Sequence, residues 1–183
     1  MRSTPKPSSR PPSEKQLLQQ NKFKLVINFL QPIKNIQSRY FGSGSGSKSR
    51  VNMATSYTIN EAVQVTANVP SLVYNKILIT KGNLAGFQNP SAVPQSGQML
   101  SLSWEDNSIQ GNAKATDIAN AVCYCEELGT FEIFQSLNDR SSVTADITLA
   151  PYYSGKEIHV WMYFNIEESL ACNSPYLGMF TVL

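Results

Sequence analysis

The chain has few of the residues that most enzymes and metal sites need, since its 183 residues include one histidine and three cysteines. No G-x-S-x-G turn accompanies His159, so a Ser-His-Asp hydrolase site is not indicated, and a solvated or half-buried strand histidine is expected. Cys123, Cys125 and Cys172 cannot all pair with one another and are too few for a disulfide scaffold. Together with His159 they would make a zinc set, but C-x-C is not the usual C-x₂₋₄-C clamp, which favours packed or surface thiols. No catalytic, metal-binding or cofactor-binding residue is predicted.

Long apolar runs are also missing. The most apolar early stretch, residues 23–33, is interrupted by Lys24, Asn28 and Pro32 and is too short to cross a bilayer. The basic, proline-rich start is not followed by the apolar core of a secretory signal. These absences favour a cytoplasmic location and give no indication of a membrane or a small-molecule substrate as partner.

Charge is divided unevenly along the chain. Residues 1–50 carry ten Lys/Arg and one acid, a net +9, whereas residues 51–183 carry five Lys/Arg and twelve acids, a net −7. Two segments of opposite charge indicate an interaction protein rather than a pocket enzyme.

The cationic part begins with a proline- and serine-rich arm, residues 1–13, that has no large aliphatic side chain beyond its first residue. We expect it to be a disordered, extended segment. Arg2, Lys6 and Arg10 recur every four residues, about 12 Å apart in a polyproline helix, and can follow a polyanion together with Lys15. The alternative is that this charge neutralises the acidic segment, within one molecule or between protomers.

A helical segment is predicted over residues 14–41. Ser13 and Gln16 have the spacing of a capping box, and Pro32 is expected to end or kink the helix. Apolar residues recur on one broad face. The candidate docking face, for the rest of the chain or for another protomer, consists of Leu18, Leu25, Val26, Phe29 and Leu30.

Residues 42–49 form a Gly/Ser linker, and residues 50–71 are predicted to be a short helix or a connector. From residue 72 to 183 the apolar period changes to two, which is typical of half-buried strands. The predicted strands are 72–80, 100–104, 119–126, 130–135, 143–149, 158–164 and 176–183. Seven short strands with no helical pattern between them predict a mainly β fold, an antiparallel immunoglobulin-like β-sandwich preceded by the helical extension.

Acidic pairs lie at three predicted strand ends, Glu105-Asp106, Glu126-Glu127 and Glu167-Glu168. Carboxylates at one pole of a sandwich suit a hard cation such as calcium. Because no calcium-loop spacing is present, solvated loop charge is the favoured interpretation.

The strand order, with Leu-Ser-Leu-Ser-Trp (100–104) second and Glu-Ile-His-Val-Trp-Met-Tyr-Phe (157–164) sixth, resembles a fibronectin type III domain. That resemblance implies a core position for Trp104. A tyrosine common early in the sixth strand of that family is replaced here by Ile158, so the similarity is one of architecture.

The whole chain also resembles a Bacteroidetes protein family known as a domain of unknown function. The matching segments are Arg-Pro-Pro-Ser-Glu-Lys-Gln (10–16), Trp-Glu-Asp-Asn-Ser (104–108), Ser-Gly-Lys-Glu-Ile-His-Val (154–160) and residues 22–33, 52–57, 79–84 and 111–117. Members usually begin with a glycine-rich segment that this chain lacks, which implies a late start or a truncated member. The resemblance supplies no catalytic residues.

We therefore expect a non-enzymatic structural or protein-interaction module, part of a larger assembly, with a protein partner or a second copy of itself. The alternative is non-specific binding of nucleic acid or another polyanion through the basic arm, as in a packaging or capsid protein.

Overall fold

A computed structural model describes residues 11–43, 48–166 and 170–183 of the chain. Three of the predictions fall wholly or partly outside these ranges: the arm up to Arg10, the centre of the linker, and the pair Glu167-Glu168.

Three α-helices precede the sandwich. Helix α1 spans Glu14–Leu30, a 3₁₀ turn spans Gln31–Ile33, α2 spans Lys34–Tyr40 and α3 spans Arg50–Glu61. The capping box predicted for α1 is present, because the Ser13 amide donates to Gln16 Oε1 at 2.9 Å and the Gln16 amide to Ser13 Oγ at 3.4 Å. Pro32 lies in the 3₁₀ turn and separates α1 from α2, as expected of a residue that lacks an amide donor.

A two-stranded hairpin follows α3, with β1 at Val63–Thr66 and β2 at Val69–Leu72. Its two turn residues, Ala67 and Asn68, both have positive φ, 51° and 63°, as a tight two-residue turn between twisted strands requires.

The remaining strands form two antiparallel sheets. Their bounds are β3 Gln88–Gln95, β4 Met99–Glu105, β5 Ile118–Cys125, β6 Thr130–Phe134, β7 Thr144–Thr148, β8 Glu157–Ile166, β9 Leu170–Ala171 and β10 Tyr176–Thr181. One sheet has the order β3-β4-β7, and the other has the order β10-β8-β5-β6 with β9 paired to β8. The mainly β, antiparallel fold predicted from the sequence is confirmed.

The first predicted strand is wrong. Residues 72–80 contain only the end of β2, a 3₁₀ turn at Tyr74–Lys76 and an irregular segment. The sandwich begins instead with β3, a strand absent from the sequence prediction, which contains Pro90 and Pro94. Proline cannot donate to a strand ladder and is rare inside sheets. Strand β3 pairs only with β4 and is therefore an edge strand, where proline is tolerated.

The helices form a third layer over the five-stranded sheet. Strand β8 is buried on both of its faces from Ile158 to Phe164. Its Ile158, Val160, Met162 face packs between the two sheets, and its other face packs beneath α1 and the 3₁₀ turn at Tyr74–Lys76. One hydrophobic cluster therefore runs from Val26 in α1 to Val182 at the end of the sandwich.

Candidate interaction surface

Aromatic side chains cluster on the outer face of the five-stranded sheet. Strand pairing sets Tyr124 opposite both Phe131 and His159, and it sets Trp161 opposite Tyr176. Side chains on one face of a sheet interact across strands, so these rings form one continuous layer.

Phe29 of α1 inserts into this layer. Its ring centroid lies 4.9 Å from that of Tyr124, 5.0 Å from Phe131 and 6.4 Å from Trp161, all in edge-on arrangements that aromatic pairs favour. Trp161 is fully buried, and its indole N–H donates to the Ile77 carbonyl at 3.1 Å. The irregular segment after β2 thus supplies the hydrogen bond that a buried tryptophan needs.

The predicted docking face of α1 is only partly in contact with the sheet. Val26, Phe29 and Leu30 are buried, whereas Leu18 and Leu25 are half-buried. Phe23, which belongs to the same apolar pattern along the helix, is 53% exposed. The C-terminal half of α1 therefore belongs to the core, and its N-terminal half extends into solvent.

Beside the buried half of α1 lies an open groove of about 350 Å³, which we call the aromatic groove. Its lining residues come from α1, from the hairpin and from the end of the sheet near the β5–β6 turn; they include Leu25, Pro70, Tyr74, Tyr124, Glu126 and Phe131. Both tyrosines and Phe131 are half-buried, so their ring faces remain accessible.

Burial shifts the pKa values of the tyrosines and the histidine around the groove toward their neutral forms. Burial, and then the nearby Glu126 carboxylate, raises the pKa of Tyr74 and of Tyr124. Side-chain hydrogen bonds join Tyr74 to both Tyr124 and Glu126. His159 stacks on Tyr74 with centroids 3.7 Å apart, and its Nδ1 is 2.8 Å from the Tyr176 hydroxyl. Burial lowers the pKa of His159 despite opposing contributions from Glu126 and Glu157.

Glu126 is the charged member of the groove. It is exposed, and within the described ranges it forms no ion pair, whereas its neighbour Glu127 pairs with Lys156. The groove therefore combines flat aromatic rings with one accessible negative charge, an arrangement suited to binding an extended, cationic ligand.

The zinc set considered from the sequence is not assembled. Cys123 lies on the face of β5 opposite to Tyr124, whereas His159 pairs with Tyr124 and shares its face. All three cysteines are buried. Burial raises the pKa of the Cys123 thiol, and it raises the pKa of the Cys172 thiol to about 11. Across the described residues, no group of three metal-ligating side chains is positioned to hold a metal ion.

A second polar cluster lies at the opposite end of the sandwich. Arg140 is fully buried, its Nη2 is 2.9 Å from Asp117 Oδ2, and it also donates to Asn107 Oδ1 and to the carbonyls of Ala85 and Gly86. We assign the cluster a structural role.

Of the predicted polyanion contacts, Lys15 lies exposed in the first turn of α1. Arg2, Lys6 and Arg10 lie outside the described residues. Within the described residues, no helix has the length and hydropathy to cross a bilayer.

Sequence reasoning did not find the aromatic groove. The signal was present, because the residues that alternate with the core positions of β8 are His159, Trp161 and Tyr163. A face that carries two large aromatics is unusual for a solvated sheet, and it indicates a strand covered on both sides.

These features define a three-layer protein in which a helical extension covers one face of a fibronectin type III-like sandwich. The order β3-β4-β7 facing β10-β8-β5-β6 is a sandwich of two antiparallel sheets, and Trp104 is 5% exposed in the core, as the resemblance implied. The chain belongs to the family described as "Family of unknown function (DUF6266)", which matches residues 1–178.

Among solved structures, the chain is similar to the fn3 domain of human contactin 1, with 8% sequence identity and a TM-score of 0.40. The similarity covers 57% of this chain and 83% of that domain. Comparison with curated proteins gave no significant match.

Proposed function

We propose that this protein is a non-enzymatic interaction module that binds an extended, proline-containing and cationic peptide segment in the aromatic groove. The observation that carries the proposal is the set of half-buried rings of Tyr74, Tyr124 and Phe131 beside the exposed carboxylate of Glu126.

The chemistry of such a ligand follows from the lining. Proline-rich segments are already extended, so they lose little entropy on binding, and they pack their rings against flat aromatic side chains. Hydrogen bonds join the Tyr74 side chain to Tyr124 and Glu126, so the two rings are held in place beside the groove. The exposed Glu126 carboxylate attracts a Lys or Arg side chain of the ligand.

The test is an NMR titration of the full-length protein with a short peptide of repeated Arg-Pro-Pro triplets. We expect shifts in the amides of Tyr124, Gly129 and Phe131, and no such shifts with the same peptide carrying glutamate for arginine. Glu126→Lys should weaken binding about fivefold, the value of one exposed charge pair. Asp146→Lys, an exposed acid on the other sheet, is the matched control and should leave the affinity unchanged. Absence of shifts at the groove, or equal effects of the two variants, would exclude the groove as the binding surface.

Two further expectations belong to this proposal. The same proposal includes binding of another protein or of a second copy of this chain. Self-association is checked by light scattering on the full-length chain. The Bacteroidetes source implied by the resemblance also stays a prediction.

The charge division favours one second candidate, non-specific binding of a polyanion through Arg2, Lys6, Arg10 and Lys15. If the arm contacts about six phosphates, the logarithm of affinity for DNA or RNA should fall with the logarithm of salt at a slope near −5. A titration at two salt concentrations measures this slope. No binding at low salt removes this candidate and leaves the aromatic groove unaffected.

A further inference from the structure

We propose that the open edge of strand β6 is a docking site for an extended segment of another protein, which adds to the sheet as a strand and places an acidic side chain in the cavity between β6 and α2. This cavity shares no lining residue with the aromatic groove, so the inference stands apart from the function proposed above.

Strand β6 lies at the end of the five-stranded sheet and pairs with β5 alone. Within the described ranges, no backbone hydrogen bond joins β6 to any segment other than β5. An edge strand presents a row of N–H and C=O groups along its open side, and an added strand can pair with them. Backbone pairing is therefore available to a partner at this edge.

The edge of β6 lacks the features with which other edge strands of this fold prevent strand addition. Edge strand β3 contains Pro90 and Pro94, and the register of edge strand β10 shifts between Tyr176 and Gly178. Strand β6 has the sequence Thr-Phe-Glu-Ile-Phe, without proline or lysine, and its pairing with β5 is regular along its whole length. A straight, mostly apolar edge of this kind is a template for another strand.

The outer side of this edge borders an open cavity of about 520 Å³. Ile133 and Gln135 line the cavity from the strand side, and α2 contributes Ile36, Ser38 and Arg39. Ile133 is 38% exposed. Because side chains on one face of a sheet lie opposite each other across neighbouring strands, a strand added to β6 would place alternate side chains beside Ile133, at the cavity.

Arg39 determines which side chain the cavity favours. Of the described residues that line the cavity, Arg39 is the only charged one; it is exposed, and neither ion pair of the described residues includes it. Burial raises the pKa of Tyr163 to about 12, whereas the Gln135 side chain and the positive charge of Arg39 act to lower it. Both side chains therefore lie near the Tyr163 hydroxyl, so Arg39 is on the β6 side of α2, where a carboxylate of an added strand can pair with it.

The same charge argues against a second copy of β6 as the occupant. In an antiparallel β6–β6 pair the outer faces of both strands lie on the same side, and the outer face of β6 carries Phe131 and Ile133. The carboxylate of Glu132 lies on the opposite face, where its Oε2 accepts a hydrogen bond from the Ala150 amide at 3.2 Å. Such a pair would leave Arg39 without a counter-charge, whereas an acidic segment of a different protein supplies one.

The test is an NMR titration of the full-length protein with the end-blocked peptide Thr-Val-Thr-Glu-Thr-Val-Thr, which as a strand presents its valines and its glutamate on one face. We expect shifts in the amide signals of Ile133 and Gln135 and in the side-chain Nε–H of Arg39. Hydrogen–deuterium exchange of the β6 amides that do not bond to β5 should slow in the complex, because an added strand protects them. The amide signals of Ser101 and Asp146, on the other sheet, should not change.

Matched variants test the charge. Arg39→Gln should weaken the binding of this peptide about fivefold, the value of one exposed charge pair. Lys34→Gln removes an exposed cation of the same helix that does not line the cavity, and it should leave the affinity unchanged. The same peptide with lysine in place of glutamate should bind Arg39→Glu more tightly than it binds the wild-type protein. Equal effects of Arg39→Gln and Lys34→Gln would overturn the assignment of the cavity to an acidic side chain.

Three other outcomes would overturn the inference. A peptide N-methylated at every residue keeps its side chains but cannot donate to a strand ladder; if it shifts Ile133 and Gln135 as strongly as the unmodified peptide, the contact is not strand addition. If the outward β6 amides already exchange slowly without peptide and light scattering shows a dimer, a second copy of the chain occupies the edge. If the unmodified peptide shifts neither Ile133 nor Arg39, the edge does not bind an acidic strand.

Discussion

At the scale of single residues, the buried Arg140 joins three separate segments of the sandwich. Its guanidinium holds together the loop at Ala85 and Gly86, the Asn107 side chain and the Asp117 carboxylate, and it lies 3.9 Å from the centre of the Phe164 ring. We expect Arg140→Met to lower the free energy of unfolding by about 3–5 kcal/mol, because Asp117 is left buried without its counter-charge. Urea denaturation measures the change.

Two further variants test whether the free energy of unfolding lost in Arg140→Met comes from the uncompensated charge of Asp117. Arg140→Met with Asp117→Asn should recover part of the loss, since the second change removes the buried carboxylate. Lys156→Met breaks the partly exposed pair with Glu127 and should cost at most about 1 kcal/mol. If the single and double variants are equally unstable, packing rather than charge accounts for the effect.

A second prediction for a single residue concerns how the free energy of unfolding depends on pH through His159. Burial lowers the pKa of this residue in the folded state below its ordinary 6.5, so the unfolded chain takes up the proton first as the pH falls. The stabilising contribution is complete above pH 6.5 and is lost as the pH falls through the folded pKa, with a slope of at most about 1.4 kcal/mol per pH unit. Urea denaturation between pH 7.5 and 5.5 should show this loss.

His159→Phe should reduce the slope of the free energy of unfolding against pH. His159 is the chain's one histidine, so no second imidazole titrates in this range. An unchanged slope in the variant would assign the pH dependence to the carboxylates instead.

At the scale of elements, α1 acts as part of the sandwich core. Phe29→Ala removes a ring that contacts Tyr124, Phe131 and Trp161, and we expect it to cost about 3–5 kcal/mol of unfolding free energy. Phe23→Ala in the same helix is the matched control; because Phe23 is 53% exposed, it should cost less than about 1 kcal/mol. Equal costs in thermal or urea unfolding would show that α1 is not docked.

The elements also show how far the sequence predicts this fold. Local residue spacing predicts the capping box, the break at Pro32 and six of the seven expected strands. The segment 72–80 is as apolar as a strand, but its conformation is set by Ser174 and Cys172, more than 90 residues away. The Ser174 hydroxyl accepts from the Ile79 amide, and the Cys172 carbonyl accepts from the Thr80 hydroxyl. Contacts so distant in sequence leave no periodic signal, and the aromatic groove, which depends on this segment's position, could not be predicted for the same reason.

At the scale of the whole molecule, the two tryptophans report on two different layers. Trp104 packs between the two sheets, close to Phe87 and Phe164, whereas Trp161 packs between the five-stranded sheet and the helices. Because one hydrophobic cluster joins all three layers, we expect a single cooperative unfolding transition.

Variants with one tryptophan each, Trp104→Phe and Trp161→Phe, test this expectation. Each substitution changes stability, so the fluorescence transition of a variant is compared with the far-ultraviolet circular dichroism of that same variant. The two urea curves should coincide in both variants. If Trp161 fluorescence in Trp104→Phe changes at a lower urea concentration than the β signal, the helical layer leaves the sheet before the sandwich unfolds. The helical layer and the sandwich would then be two separable modules rather than one folded unit, and a groove formed between α1 and the sheet would exist only while that layer stays docked.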